Sequence, residues 1–211
     1  MNESRQRELI CATAKSLFDR GLTHGSTGNI STRCEDGWLL TPTGSNLGSL
    51  DPARLSKLDW SGKLISGDPP SKENFLHLCM YQQRERSGAV IHLHSTCSVA
   101  VSVLADVNPD DVLPPITAYY VMRIGTLPLI PYFAPGDMKL ADAVREKASR
   151  HHAVLLANHG PVVAGSDLAA ASDAIEELEA TARLHLLLQG HETRPLTPSQ
   201  CAELRKRYPV A

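Results

Sequence analysis

The run Ala89-Val-Ile-His-Leu-His94 sets two imidazoles two residues apart inside an apolar, β-branched stretch that reads as a strand. Side chains alternate along a strand, so His92 and His94 share one face. Two same-facing imidazoles make half of a zinc-type site, and the remaining ligand can come from anywhere the fold brings near. The candidate is His159, at the end of a second apolar run, Ala153-Val-Leu-Leu-Ala-Asn-His-Gly160, where a strand enters a glycine-containing turn. Three neutral imidazoles leave one coordination position open, which separates a catalytic zinc site from a closed structural one. The alternative is a pair of hydrogen-bonded core histidines. The neighbouring Ser95 and Thr96, able to cap a helix, and the upstream acid Glu73 favour chemistry over packing.

At 211 residues the chain fits one domain, 1–211, and 42% hydrophobic with 21% charged residues is ordinary for a globular protein. A net charge of −2 and a pI near 6.5 exclude the basic stripe that nucleic acid or an anionic membrane would require, which leaves a small molecule as the expected partner. The first residues lack the apolar segment of a signal peptide, and no stretch approaches the roughly 18 apolar residues that span a bilayer. A cytoplasmic location is expected. Cys11, Cys34, Cys79, Cys97 and Cys201 are odd in number, scattered and without a Cys-x-x-Cys pair, so they read as reduced thiols and offer no thiolate metal site.

Helices and strands alternate along the chain. Apolar spacing predicts a helix over about 3–20 ended by Gly21, and an Asp36-Gly37 turn between strands at 29–32 and 38–41. Ser71 is placed to cap a helix running to about Arg86. Further helices are predicted near 96–105, 137–150, 167–189 and 199–207, with strands at 64–65, 119–122, 127–132, 153–157 and 161–164. Hairpin-like strand pairs favour a mixed or antiparallel sheet covered by helices.

Three segments resemble an oxyanion cradle. His24-Gly-Ser-Thr-Gly-Asn-Ile-Ser31 combines two glycines with the neutral donors Ser26, Thr27 and Asn29, and Thr41-Pro-Thr-Gly-Ser45 repeats that chemistry. Ser71 and Lys72 stand where a helix begins, a position that favours an anion. Glu73 adjoins them and is the natural acid/base. Alone, each segment reads as a turn, and Glu73 as a surface carboxylate; their company with the histidines is what gives them weight.

In chain order, Gly28-Asn29-Ile30-Ser31, Thr41-Pro-Thr-Gly44, Ser71-Lys72-Glu73, His92-Leu-His94 and Asn158-His-Gly160 resemble the class II aldolase and adducin superfamily, typified by zinc-dependent fuculose-phosphate aldolases. The resemblance spans almost the whole chain. It implies an α/β fold, three-layered α/β/α around a mainly antiparallel sheet, in a homotetramer with active sites between subunits. It also implies Zn2+ held by His92, His94 and His159, Glu73 as acid/base, and phosphate held by Gly28, Asn29, Thr43, Gly44, Ser71 and Lys72. In the aldolases a tyrosine from the neighbouring subunit protonates the leaving aldehyde; Tyr120 falls at the matching position, with Tyr119 its close competitor.

The aldolases carry Ser-Ser-Glu where this chain has Ser71-Lys72-Glu73. That departure, with Leu113-Pro-Pro-Ile-Thr-Ala-Tyr-Tyr-Val-Met-Arg123 and Glu176-Glu-Leu-Glu179, resembles the branch that decarboxylates 3-oxo-tetronate 4-phosphates in four-carbon acid sugar catabolism. The implied partner is thus a phosphorylated sugar acid. Its ketone lies β to the carboxylate, so loss of carbon dioxide leaves charge on C2 that spreads to the C3 oxygen as an enediolate, which a divalent cation stabilises. Protonation at C2, with Glu73 the candidate donor, gives dihydroxyacetone phosphate. The competing expectations are a sugar-phosphate aldolase or 4-epimerase using similar chemistry, and an adducin-like scaffold, which would not need three retained histidines. Arg123 is a candidate for the substrate carboxylate or for a structural ion pair. His77, His151, His152, His185 and His191 read as packing or surface residues.

Overall fold

The computed structural model describes residues 2–134 and 137–209. Helix α1 (Glu3–Asp19) is capped by Asn2, whose side chain accepts from the Arg5 N–H, and it buries Ile10, Ala14 and Leu17 at helical spacing. Strands β1 (Asn29–Cys34) and β2 (Gly37–Leu40) form the hairpin expected from Asp36-Gly37, with Cys34 opposite Gly37. The short β3 (Ser56–Leu58) and β4 (Leu64–Ser66) extend that edge. After α2 (Asn74–Gln83) come β5 (Ala89–His92), α3 (Thr96–Ser102), α4 (Ala118–Arg123), β6 (Leu129–Ile130) and α5 (Lys139–Ala148). The hairpin β7 (Ala153–Leu156) and β8 (Gly160–Gly165) precedes the long α6 (Leu168–Leu187) and α7 (Pro198–Arg207).

The strands form one eight-stranded sheet in the order β4-β3-β2-β1-β5-β8-β7-β6. All neighbours pair antiparallel except β6 and β7, which are parallel. Alternation along the strands builds two cores. Ile30, Leu39, Ile91, Leu155 and Val163 pack on one face with Ile10, Leu17, Tyr120, Ile175 and Leu178 from the helices. Trp38, Leu40, Val90, Val154 and Val162 pack on the other with Leu76 and Met80 of α2 and Leu140 and Val144 of α5. This is the three-layer arrangement, with the mainly antiparallel sheet in the middle. β5 lies centrally between β1 and β8, and its register sets Asn29 opposite His92 and Ser31 opposite Val90, so these side chains share the face that α2 covers.

Two expectations are corrected, and one strand is added. The segment predicted as a strand near 119–122 is α4: Thr117 accepts from the Tyr120 N–H as an N-cap, and the adjacent pair Tyr120 and Val121 is buried, a helical rather than alternating pattern. The β propensity of Tyr-Tyr-Val yields there to packing and a cap. Helix α2 begins at Asn74, not Ser71, and stops at Gln83; the Ser71 hydroxyl accepts instead from the Glu73 N–H in a turn. β3 was not anticipated, because three residues give too little alternation to read.

Candidate metal centre

β5 delivers His92 with its ring already oriented. The Nδ1–H donates to the Pro161 carbonyl at 2.8 Å, which fixes the tautomer and leaves Nε2 free as a ligand atom. His94 follows on the extended chain just beyond the strand. His159 comes from the β7–β8 turn, where Leu156 pairs with Gly160 across a loop of Ala157, Asn158 and His159. That turn is built by its residue types: Asn158 takes φ +57°, in the left-handed region that asparagine tolerates. Gly160, at φ +152°, lets the turn press on the β5 extension, since a Cβ there would lie 2.3 Å from the Leu93 carbonyl oxygen.

As a result the three Nε2 atoms converge. They lie 3.2 Å apart for His92 and His94, 3.3 Å for His92 and His159, and 3.1 Å for His94 and His159. Three nitrogens about 2.0–2.1 Å from a tetrahedral zinc would be separated by about 3.3 Å, so the triangle fits such a cation without rearrangement. Glu73 adds a carboxylate: Oε1 lies 2.9 Å from His159 Nε2 and Oε2 3.5 Å from His92 Nε2. Ligand atoms of all four residues lie within 4.8 Å of one another. Glu73 stands at the N-cap of α2 but makes no capping bond, so its carboxylate turns to the histidines.

The electrostatics suit a cation. Burial favours the neutral carboxyl of Glu73 and raises its pKa, but the charge of His92 and hydrogen bonds from His159 and His92 outweigh it, and the carboxyl is held far below its ordinary range. Burial and the neighbouring His92 and His159 push His94 down to about 3, which keeps it neutral and able to ligate. His92 shifts the other way: burial opposes its charge, and the Glu73 carboxylate more than compensates.

The expected cradle segments are brought together around this centre. The Thr43 N–H donates to the Pro69 carbonyl and Pro42 bridges Pro70, so the 41–45 and 69–73 loops are stitched side by side. Thr41 Oγ1 accepts from the Ile30 N–H and ties the first loop to β1. Gly28, at φ +81°, packs so closely on β5 that a Cβ would meet the His92 carbonyl oxygen at 3.0 Å. Gly44, at φ +66°, faces open space. Lys72 is exposed beside Ser71. Asn29 reaches this cluster as the first residue of β1. It is buried, and its Nδ2 donates within the protein, to Ser71 Oγ at 3.1 Å and Glu73 Oε2 at 2.8 Å.

Tyr120 is fully buried in the core, and its hydroxyl donates to Asp111 at 3.2 Å, whereas Tyr119 beside it is 60% exposed. Arg123 pairs with Asp173 at 2.7 Å, the structural reading of that residue. Two further groups have hydrogen-bonding roles that the sequence does not assign them, His77 reading there only as a packing or surface residue. His77, fully buried, contacts Asn29 Oδ1 through Nε2 and Ser31 Oγ through Nδ1; its position four residues after Glu73, on one helix face, was the available signal. Glu179 of α6 caps α3 across space, accepting from the Cys97 and Ser98 N–H groups at 2.8 Å each, where Ser95 makes no capping bond.

The class II aldolase and adducin N-terminal domain model matches residues 8–186, and the chain belongs to that family. It is 46% identical over 208 residues to the 3-oxo-tetronate 4-phosphate decarboxylase of Haemophilus influenzae, covering 98% of this chain and 99% of the relative. The enzyme of that name from Escherichia coli K12 is 49% identical over 204 residues, 96% of each chain. Among solved structures, Escherichia coli YgbL superposes with a TM-score of 0.94 at 47% identity over 96% of this chain and 99% of its own. An L-fuculose 1-phosphate aldolase superposes with a TM-score of 0.85 at 25% identity, over 96% and 95% of the two chains.

Proposed function

We propose that this chain is a metal-dependent carboxy-lyase that converts a 3-oxo-tetronate 4-phosphate to dihydroxyacetone phosphate and carbon dioxide. The observation that carries the reading is the convergence of His92, His94, His159 and Glu73, in a chain 46–49% identical over nearly full length to relatives named for that reaction. Zinc is the cation assigned to the three imidazoles, since neutral nitrogen donors with a vacant position suit it. When bound, it supplies Lewis-acid stabilisation of charge developing on substrate oxygens.

The chain's own groups supply the rest. The 41–45 loop, Ser71 and the exposed Lys72 receive the phosphate and orient C1 to C3 toward the histidines. The C1–C2 bond breaks, carbon dioxide leaves, and the electron pair remains on C2 and the C3 oxygen. Glu73, ionised at rest, takes the proton of the substrate's C2 hydroxyl on binding and returns it to C2 after carbon dioxide departs; water restores the hydroxyl proton on release. In a homotetramer with sites between subunits, the reading adopted here for assembly, the surface Tyr119 rather than Tyr120 is the residue free to enter a neighbour's site. A cytoplasmic location is part of the same proposal.

The purified protein should release one carbon dioxide per dihydroxyacetone phosphate from a 3-oxo-tetronate 4-phosphate and carry one divalent ion per subunit. Cleavage of fuculose 1-phosphate without carbon dioxide release would replace the decarboxylase with the aldolase reading, which a relative 38% identical over 187 residues and named L-fuculose phosphate aldolase keeps in view. Absence of bound metal under all loading conditions would leave a scaffold.

A further inference from the structure

The inference here rests on the reading of Glu73 as the proton-carrying group. A carboxylate oxygen only accepts, so the Asn29 atom 2.8 Å from Glu73 Oε2 is Nδ2, and Oδ1 faces the other way. There it meets His77 Nε2 at 2.5 Å, which must donate. In a neutral ring Nδ1 is then an acceptor, and it takes the hydroxyl proton of Ser31 at 2.7 Å. The Ser31 oxygen in turn accepts from the Tyr81 hydroxyl at 2.8 Å. Every proton in the chain Tyr81, Ser31, His77, Asn29, Glu73 thus has an assigned direction. All members but Glu73 are buried to 3% exposure or less. The ring stays neutral because burial pushes His77 down to about 3, and Trp38 stacks against it with an interplanar angle of 13°. α2 and β1 supply the members at matching spacings, Glu73 and His77 one helical turn apart and Asn29 and Ser31 on one strand face.

We propose that His77 is a positioning residue for the reaction: through the Asn29 amide it fixes the oxygen of Glu73 that carries the proton. A reversed amide would set its carbonyl oxygen against the carboxylate and drive Glu73 away from the histidines. His77 itself touches neither substrate nor cation in this scheme. A histidine that merely filled the space beside Trp38 would contribute stability and leave the turnover of the folded enzyme alone.

The test compares metal-loaded His77→Leu, His77→Gln and Ser31→Ala enzymes, each in the wild-type and the Glu73→Gln background, by kcat, KM, bound metal per subunit and thermal midpoint. His77→Leu should lower kcat about 10–100-fold, the scale seen when a group supporting a metal site is removed, with KM and metal content nearly unchanged. His77→Gln, whose amide can present an N–H to Asn29, should recover most of that loss. In the Glu73→Gln background His77→Leu should change kcat less than about twofold, because groups acting as a unit are not additive. A His77→Leu enzyme with wild-type kcat, or the same fold-loss repeated in the Glu73→Gln background, overturns the positioning role and leaves the role of Glu73 standing. Wild-type turnover by Glu73→Gln alone overturns both. Should His77→Leu fail to fold, Ser31→Ala, which removes one hydroxyl and leaves Nδ1 without its donor, decides by the same comparisons.

Discussion

At the scale of single residues, Glu73 and Lys72 adjoin in sequence and part in role. Glu73 contacts two of the histidines, and replacing it with glutamine keeps its shape while removing the proton it carries. Glu73→Gln should retain metal and lose about 10²–10⁴-fold in turnover, the range for a general acid/base, checked by kcat and metal analysis on one preparation. Lys72 is exposed, and its ammonium is proposed to meet the substrate phosphate. Lys72→Ser should weaken binding of phosphorylated substrate by about 1.5–3 kcal/mol, with metal retained and inhibition by inorganic phosphate reduced. An unchanged KM would make Lys72 a surface residue at a helix start. Several of these residues were legible in the sequence for a physical reason: His92 and His94 by strand period, and His159 by its turn. Which of the two adjacent tyrosines is buried was not legible, because they look alike until a helix assigns Tyr120 to the core.

Among the elements, the β7–β8 turn carries His159, and the extended link from β5 to α3 carries His94. Gly160→Ala would force a Cβ into the Leu93 carbonyl, so the turn must back away and carry His159 with it. The expected result is at least a tenfold weaker metal affinity, on the scale of about 10–100-fold for lost ligand support, together with a lower melting temperature. The opposite outcome, unchanged affinity by competitive chelation, would show that the turn is not what holds His159. On the other side, Glu179→Ala uncovers the α3 N–H groups and should cost about 0.5–2 kcal/mol, the worth of a helix cap, measured by denaturant unfolding. The long amphipathic elements were readable because burial imposes a period on many residues at once. β3 and the true start of α2 were not, since each is decided by a few hydrogen bonds to chain far away in sequence.

For the molecule as a whole, acid should act first through the buried neutral histidines His77 and His94, which burial pushes down to about 3, and then through ion pairs that join distant segments. The Arg20 hydrogen bonds hold Glu176 below its ordinary value of 4.5 against the opposing effect of burial, and Lys57 does the same for Glu3. A carboxyl depressed by folding adds stability that is present above its unfolded value and lost as pH falls through the folded one. The metal-free protein should therefore begin to lose stability as pH falls below about 6.5, where unfolded histidines take up protons that buried His77 and His94 do not, and lose more below about 4.5, where the paired carboxyls take up protons. Glu176→Gln should flatten part of that fall in thermal scans; an unaltered slope would remove the pair from the account. The sheet order has a kinetic consequence of its own. The four donors are spread from position 73 to position 159, and the strand that carries His92 is central, flanked by β1 from one end of the chain and β8 from the other. Apart from the adjacent pair His92 and His94, such a site is assembled from non-local pairings, whose loop-closure cost places them late on the route to the native state. The cation can then find its full set of donors only in a chain that has already closed its sheet, so metal uptake during refolding should lag behind the recovery of tryptophan burial at Trp38.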